Sequence, residues 1–280
     1  MPSFKLIQHM RHFAMAILLC FISSCSSKKK ELNIKQAELY FGAGTQSLMD
    51  RQYTEALKNL MKANELTPNN SEIINNLGMA YYFKGEKELA IKTLKKALEL
   101  KEDNSDAKIN LASIYYKSGD MNEAEKIYKQ VLRDLTYDKQ ARTLYNLGLL
   151  ELYGRKNSVT AENYFKKSVK EDDNYCPSYY YLGIIRYQRR QYSSALRYLK
   201  EASIGTCYEA PAPHYFQALT MIELRRFVEA RMKLDEIDTR FKKSVYARKA
   251  RLKTIEINEI EKRKSSESHA SRDVLESPDF

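Results

Sequence analysis

Tryptophan is absent from this chain and histidine is scarce, since only His214 and His269 lie beyond the N-terminal segment. A histidine-based metal or acid–base site therefore has almost no material. The sequence also lacks the Gly-x-Ser-x-Gly, phosphate-loop and His-Glu-x-x-His patterns that place a nucleophile, a nucleotide or a catalytic zinc. Carboxylates are plentiful, as at 171–173, but those lie in a predicted turn. We expect no enzyme, no metal, no cofactor and no small-molecule substrate.

Long apolar runs are absent too. The run Phe13–Ile22 has ten residues, about half of what a membrane-spanning helix needs. It follows a basic start with Lys5 and Arg11 and ends in Ile-Ser-Ser before Cys25, which is typical of an export signal over residues 1–24. The small residues before Cys25 resemble the bacterial lipobox. This resemblance implies cleavage before Cys25 and lipidation of its amine and thiol; an ordinary secretory signal is the alternative.

Residues 25–36 would then form a lipidated tether. In such lipoproteins an Asp after the lipidated Cys tends to hold the protein at the inner membrane. The residue here is Ser26, so the resemblance implies an anchor in the outer membrane of a Gram-negative bacterium, on the periplasmic side. Several acyl chains would make the attachment firm.

Cysteine is also rare, with four copies. Cys20 would leave with the signal and Cys25 would carry the lipid. Cys176 opens a predicted helix, and Cys207 follows the end of the helix that returns beside it, so the two thiols lie at the same end of a predicted hairpin. The periplasm permits disulfides. We predict a bond between Cys176 and Cys207, with two free thiols as the alternative.

Basic residues exceed acidic ones, 47 to 36, which gives a net charge of +11. The excess is concentrated late in the chain, between Arg186 and Lys253. An exported protein seldom meets nucleic acid, so no nucleic-acid partner is expected. A solvated face is the simpler interpretation, and contact with peptidoglycan or anionic lipid is the alternative.

Small residues recur with a period of 34 to 37 residues. One set is Ala56, Ala90, Ala124, Ala161, Ala195 and Ala230. A second set, about twelve residues earlier, is Gly44, Gly78, Ala112, Gly148, Gly183 and Ala218. This period is typical of stacked helical hairpins, in which a small side chain lets the two helices approach closely.

The register, best seen in Asn76–Tyr81 followed by Ala90 and Ala97, resembles the tetratricopeptide repeat. The resemblance implies an all-α superhelical solenoid with six repeats over residues 37–243 and a lengthened junction at 135–140. Residues 244–263 are predicted to form a C-terminal capping helix, and 264–280 a disordered tail.

The first helix of each tetratricopeptide repeat lines the concave groove, so its side chains are the candidate protein contacts. Tyrosine suits a wet interface because it joins a large apolar ring to a hydroxyl. The predicted groove residues are Tyr82, Tyr116, Tyr145, Tyr180 and Tyr187, with packing between repeats as the alternative. A carboxylate clamp would need basic residues beside the asparagines in the groove, and such residues are sparse. An apolar or amphipathic peptide is therefore the expected ligand of the groove.

A lipobox, a short tether, six repeats and a late cysteine pair together resemble the type IV pilus biogenesis lipoproteins of the PilF, PilW and Tgl group. The resemblance implies a pilotin that binds the pilus secretin and promotes its localisation and oligomerisation. Two alternatives stay open: an adaptor for peptidoglycan hydrolases or proteases, similar to NlpI, and a component of outer-membrane protein assembly, similar to BamD.

Overall fold

The computed structural model describes residues 29–275, which contain helices and turns but no strand. The helices are α1 (residues 29–49), α2 (Tyr53–Leu66), α3 (Ser71–Phe83), α4 (Lys87–Leu100), α5 (Ser105–Lys117), α6 (Met121–Val131), α7 (Gln140–Leu149), α8 (Ser158–Glu171), α9 (Cys176–Gln188), α10 (Tyr192–Glu201), α11 (Pro211–Glu223), α12 (Phe227–Arg240) and α13 (Val245–Leu275). A π-helical turn over Leu150–Gly154 continues α7, and a 3₁₀ turn over Gly205–Cys207 precedes α11.

Successive helices pair into six hairpins, so the predicted all-α repeat architecture is confirmed. The chain divides into two compact units at Asp134 and Leu135. In the described residues, unit 1 contains the hairpins from α1 to α6. Unit 2 contains those from α7 to α12, together with α13. The division falls at the start of the junction that the sequence predicted to be lengthened.

Glycines in the first helices make the close approach within each hairpin possible. A Cβ atom added to Gly44 would lie 2.7 Å from Cγ of Leu60, and one added to Gly78 would lie 2.8 Å from Cγ of Leu94. In unit 2 a Cβ on Gly183 would lie 2.6 Å from Cγ of Leu199. These separations are shorter than normal carbon contacts, so the helices could not keep their spacing with a larger residue.

Asparagine caps begin several helices. The side chain of Asn70 accepts hydrogen bonds from the backbone N–H groups of Glu72 and Ile73, and Asn104 accepts one from Ala107. These side chains satisfy N–H groups that have no partner inside the helix. The two caps therefore fix where α3 and α5 begin.

The turn that joins the two helices of a repeat uses a left-handed residue. Gly85 and Gly119 have φ of 91° and 89°, as expected for glycines that end a helix. At the equivalent turns the other repeats have Arg51, Lys156, Arg190 and Arg225, with φ of 58–59°. The sequence pattern did not indicate this substitution of basic residues for glycine.

The π-helical turn explains an irregularity in the repeat spacing. The small residue of the first helix precedes that of the second by 13 residues in the fourth repeat, Gly148 to Ala161, and by 12 in the others. The backbone N–H of Arg155 donates to the carbonyl of Leu150, five residues back. The extra residue is therefore accommodated within the first helix.

Both ends of the repeat array are more helical than the sequence suggested. Residues 29–36, assigned to the tether, belong to α1, and Ala37 packs with Ala63 and Ile73. The last helix packs on α11 and α12 through Tyr246, Ala250 and Ile257, and it runs to Leu275 rather than ending at residue 263.

The predicted signal peptide, Cys25 and residues 276–280 lie outside the described residues. From 29 to 275, no helix combines the length and apolar character needed to cross a membrane.

Candidate protein-binding surface

In unit 1 the two predicted groove tyrosines are partly exposed. The ring of Tyr82 meets the edge of Phe83 at 5.6 Å between centroids, and Phe83 stacks on Tyr53 at 4.8 Å. Tyr116 has the Lys117 ammonium 5.6 Å from its ring centroid. These residues therefore leave aromatic area open near the C-terminal ends of α3 and α5.

The asparagines of unit 1 bind one another. Asn110 Nδ2 donates to Asn75 Oδ1 at 2.9 Å, Asn75 Nδ2 donates to Asn76 Oδ1 at 3.0 Å, and Asn76 Nδ2 donates to Thr45 Oγ1 at 2.9 Å. This chain of hydrogen bonds crosses the first helices of three repeats. These amides are engaged with one another and stabilise the stacking of the repeats.

In unit 2 two of the predicted tyrosines share one neighbour. The rings of Tyr180 and Tyr187 approach Phe216 of the next repeat at 5.9 Å and 6.2 Å, and Tyr187 also meets Tyr192 at 5.6 Å. Both residues are half-buried. The structure thus brings Tyr180 and Tyr187 onto one partly open aromatic surface that reaches α11.

Burial keeps the hydroxyls of these tyrosines protonated. It raises the pKa of Tyr187 to about 12, and the negative charge of Glu223 adds to this effect. Burial also raises the pKa of Tyr180, and the neighbouring Tyr246 adds to this effect. At neutral pH the surface therefore offers uncharged rings with hydrogen-bonding hydroxyls.

For Tyr145 the structure favours the packing alternative. Its ring lies 6.0 Å from Phe165, 5.8 Å from Tyr181 and 5.6 Å from Tyr175, packed against the core between the fourth and fifth repeats. Burial raises the pKa of its hydroxyl. Tyr145 is partly buried in this packing, and its contact with a client stays a prediction. Tyr153, in the π-helical turn, is instead 50% exposed and extends the open aromatic area.

The cysteine pair is brought together as predicted from the hairpin geometry. Cys176 and Cys207 have Cα atoms 6.1 Å apart and their sulfur atoms are joined. Cys176 is buried at the start of α9, followed by Pro177, and Cys207 lies in the 3₁₀ turn. The geometry suits a disulfide that closes the fifth repeat; its oxidation in the cell remains a prediction.

A buried carboxylate connects the fourth and fifth repeats. Glu162 is 5% exposed and accepts hydrogen bonds from Arg186 and Arg189, while Lys166 Nζ lies 2.7 Å from it. Burial alone would raise the pKa of Glu162, but the bonds from Lys166 and Arg189 and the charge of Arg186 lower it overall. The cluster fixes the turn after α9 against α8.

Nothing in the described part of the chain resembles a metal centre, because no group of three or more His, Cys, Asp or Glu side chains could hold an ion there. The candidate site is the partly open aromatic surface that includes Tyr180, Tyr187 and Phe216.

Comparison with known proteins agrees with the hairpin geometry. Family models described as tetratricopeptide repeat match residues 71–104 and 88–147. No curated protein matches the sequence.

Several solved structures share the fold. The PilF protein of Pseudomonas aeruginosa is 20% identical with a TM-score of 0.62, over 79% of this chain and 99% of that one. PilW, described as a type IV pilus biogenesis factor, is 16% identical with a TM-score of 0.61, over 76% of this chain and 97% of PilW. The Cut9–Hcn1 assembly of the APC/C gives 17% identity and a TM-score of 0.63, over 77% of this chain but 42% of the matched one.

At these identities the likeness shows the fold alone, a fold that generally serves as a scaffold for protein partners. The family models show tetratricopeptide repeats over residues 71–147, and the six helical hairpins and the shared structures show the same solenoid fold in the described chain.

Proposed function

We propose that this protein is a non-catalytic outer-membrane lipoprotein that acts as a pilotin for the type IV pilus secretin. The observation that carries the proposal is the partly open aromatic surface on the first helices of unit 2, formed by Tyr153, Tyr180, Tyr187 and Phe216. Aromatic rings that remain accessible on a stable repeat scaffold are suited to hold an apolar or amphipathic segment of a partner.

The choice of client rests on two further points. PilF and PilW, whose fold is shared over nearly their whole length, include a type IV pilus biogenesis factor. The sequence before the described residues has the pattern of a lipoprotein signal ending at Cys25. A lipid there would deliver the bound secretin to the outer membrane, where it assembles.

The role of the lipid is tested by Cys25→Ala, with Cys20→Ala as the matched control inside the signal. The proposal expects Cys25→Ala to leave a soluble protein and to abolish secretin multimers in the outer membrane, while Cys20→Ala changes neither. Normal secretin multimers in the Cys25→Ala strain would refute this role.

The surface is tested separately by Tyr153→Ser, which removes a half-exposed ring that meets Tyr181 edge-on at 5.9 Å between centroids. We expect weaker capture of the secretin with an unchanged melting temperature. Loss of a peptidoglycan hydrolase or protease from the captured proteins instead would favour the adaptor function.

A further inference from the structure

The turns between the two helices of each repeat carry unpaired positive charges in unit 2. Lys156, Arg190 and Arg225 are exposed and follow the first helices of the fourth, fifth and sixth repeats. Within residues 29–275 none of the three forms an ion pair, in contrast to the neighbouring Arg189 and Arg226, which bind Glu162 and Glu229.

These three residues hold a backbone conformation that favours glycine. Their φ angles are 58–59°, in the left-handed region, and the equivalent turns of the second and third repeats use Gly85 and Gly119. A side chain with a Cβ destabilises this conformation, so glycine at these positions would serve the fold better. A charged residue kept at a strained, exposed position points to a role outside folding.

Contacts between repeats show that the three turns are neighbours. Arg189 Nη2 lies 3.5 Å from Ser158 Oγ, two residues after Lys156, and this places the turn containing Arg190 beside it. The ring of Tyr187, three residues before Arg190, lies 6.2 Å from that of Phe216 on α11, the helix that leads to the Arg225 turn. The three cations therefore form a row along one edge of unit 2, which we name the basic turn row.

The basic turn row borders the aromatic surface. Tyr153 lies three residues before Lys156, Tyr187 three residues before Arg190, and Tyr192 two residues after it. Tyr153 is 50% exposed, and the Tyr187 and Tyr192 rings meet at 5.6 Å. A segment lying on the aromatic rings thus meets positive charge along one of its sides.

We propose that the basic turn row selects client segments that carry carboxylates beside their apolar anchors. This rests on the proposed function, because it assigns the chemistry of the segment that occupies the aromatic surface. Uncompensated cations attract an acidic partner, accelerate its association and set its orientation, whereas the tyrosine rings supply the apolar contact.

The test is a selection from a random 16-residue peptide library displayed on phage, at low salt, against the purified chain. The test variant is Lys156→Gly with Arg190→Gly and Arg225→Gly. The control removes the same number of exposed charges from α4 of unit 1, by Lys92→Gln, Lys95→Gln and Lys96→Gln.

We expect the wild type and the control to enrich apolar peptides with an excess of Asp and Glu. The glycine variant should bind those peptides about tenfold more weakly at low salt, since each exposed pair contributes modestly. It should also melt at a higher temperature, because the strain at three turns is relieved. If the three cations had only a structural role, the glycine variant would be more stable and would bind the peptides as tightly as the wild type.

Three outcomes would overturn the inference. Apolar peptides without acidic excess on the wild type would leave the proposed function intact and refute the charge selection. No enriched peptide at all would refute the aromatic surface, and the inference with it. Binding to phosphatidylglycerol vesicles that is lost in the glycine variant, without acidic selection, would assign the row to an anionic membrane surface.

Discussion

Glycine residues set the spacing between paired helices in this protein. Gly183 faces Leu199 at a distance that leaves no space for a methyl group, whereas nothing lies within 4 Å of the position that a Cβ on Gly42 would occupy. Both glycines lie inside helices, where glycine is intrinsically unfavourable. The same residue type therefore has opposite effects at the two positions.

This contrast gives a matched pair of substitutions. Gly183→Ala should destabilise the protein by roughly 1–3 kcal/mol, because the methyl group forces α9 and α10 apart. Gly42→Ala should stabilise it by about 0.5–1 kcal/mol through helix propensity alone. Urea unfolding of both variants measures the two effects, and destabilisation of equal size in both would contradict the packing account.

His214 is buried, and its protonation makes the free energy of unfolding depend on pH. Its Nε2–H donates to the carbonyl of Tyr208 at 3.0 Å, and Nδ1 has no hydrogen-bond partner in the described structure. Burial lowers the pKa of His214, although the nearby Glu236, 3.9 Å away, opposes this. The folded state thus resists protonation that the unfolded chain accepts near pH 6.5.

Because the folded pKa is lowered, the contribution of His214 to stability is present above about pH 6.5 and declines as the pH falls below it. Melting temperatures measured from pH 7.5 to 5 should decrease in the wild type. His214→Gln keeps a donor for Tyr208 and should flatten that decrease. An unchanged slope would show that His214 does not titrate in this interval.

At the scale of helices, the periodic small residues predicted most of the architecture, since close helix packing admits few residue types. The hairpins, their order and the junction at 135–140 all follow from that pattern. The π-helical turn at Leu150–Gly154 was not predicted, because one inserted residue can be accommodated in a loop or in a helix and only packing decides. The basic residues at the left-handed turns were missed for a related reason: glycine is preferred there, but it is not obligatory.

The aromatic surface of unit 2 follows only in part from the sequence. Register places Tyr145, Tyr180 and Tyr187 on first helices, but it does not distinguish a ring beside the groove from one beside Phe165. That difference depends on how the fourth and fifth repeats pack. The exposure of Tyr153 depends on the π-helical turn, which leaves its ring half exposed.

The cysteine pair provides a test for one helical hairpin. A disulfide between Cys176 and Cys207 spans 31 residues and should stabilise the fold by about 3–4 kcal/mol in the chain-entropy model. Reduction should increase hydrogen exchange in α9 and α10 and leave α3 and α4 of unit 1 unchanged.

The control is the double variant Cys176→Ala with Cys207→Ala, which should not respond to the reductant. Thiol labelling of unfolded, non-reduced protein checks the bond itself. Two labelled cysteines would refute it.

At the scale of the whole molecule, the protein is a scaffold of six repeats that carries an aromatic surface and the basic turn row. Such a scaffold is suited to bind a protein partner. The tetratricopeptide fold and the likeness to PilF and PilW are consistent with this. The pilotin proposal adds the identity of the client and the location of the protein in the outer membrane. Both can be measured directly. Its central claim is that the client docks on the first helices of unit 2.

The most direct measurement is photo-crosslinking in cells from a benzoylphenylalanine placed at position 153, with position 96 on α4 as the control. Mass spectrometry then identifies the crosslinked protein from each position. We expect the pilus secretin as the dominant product from position 153 and little of it from position 96. A peptidoglycan hydrolase or protease from position 153, or equal capture from both positions, would contradict it.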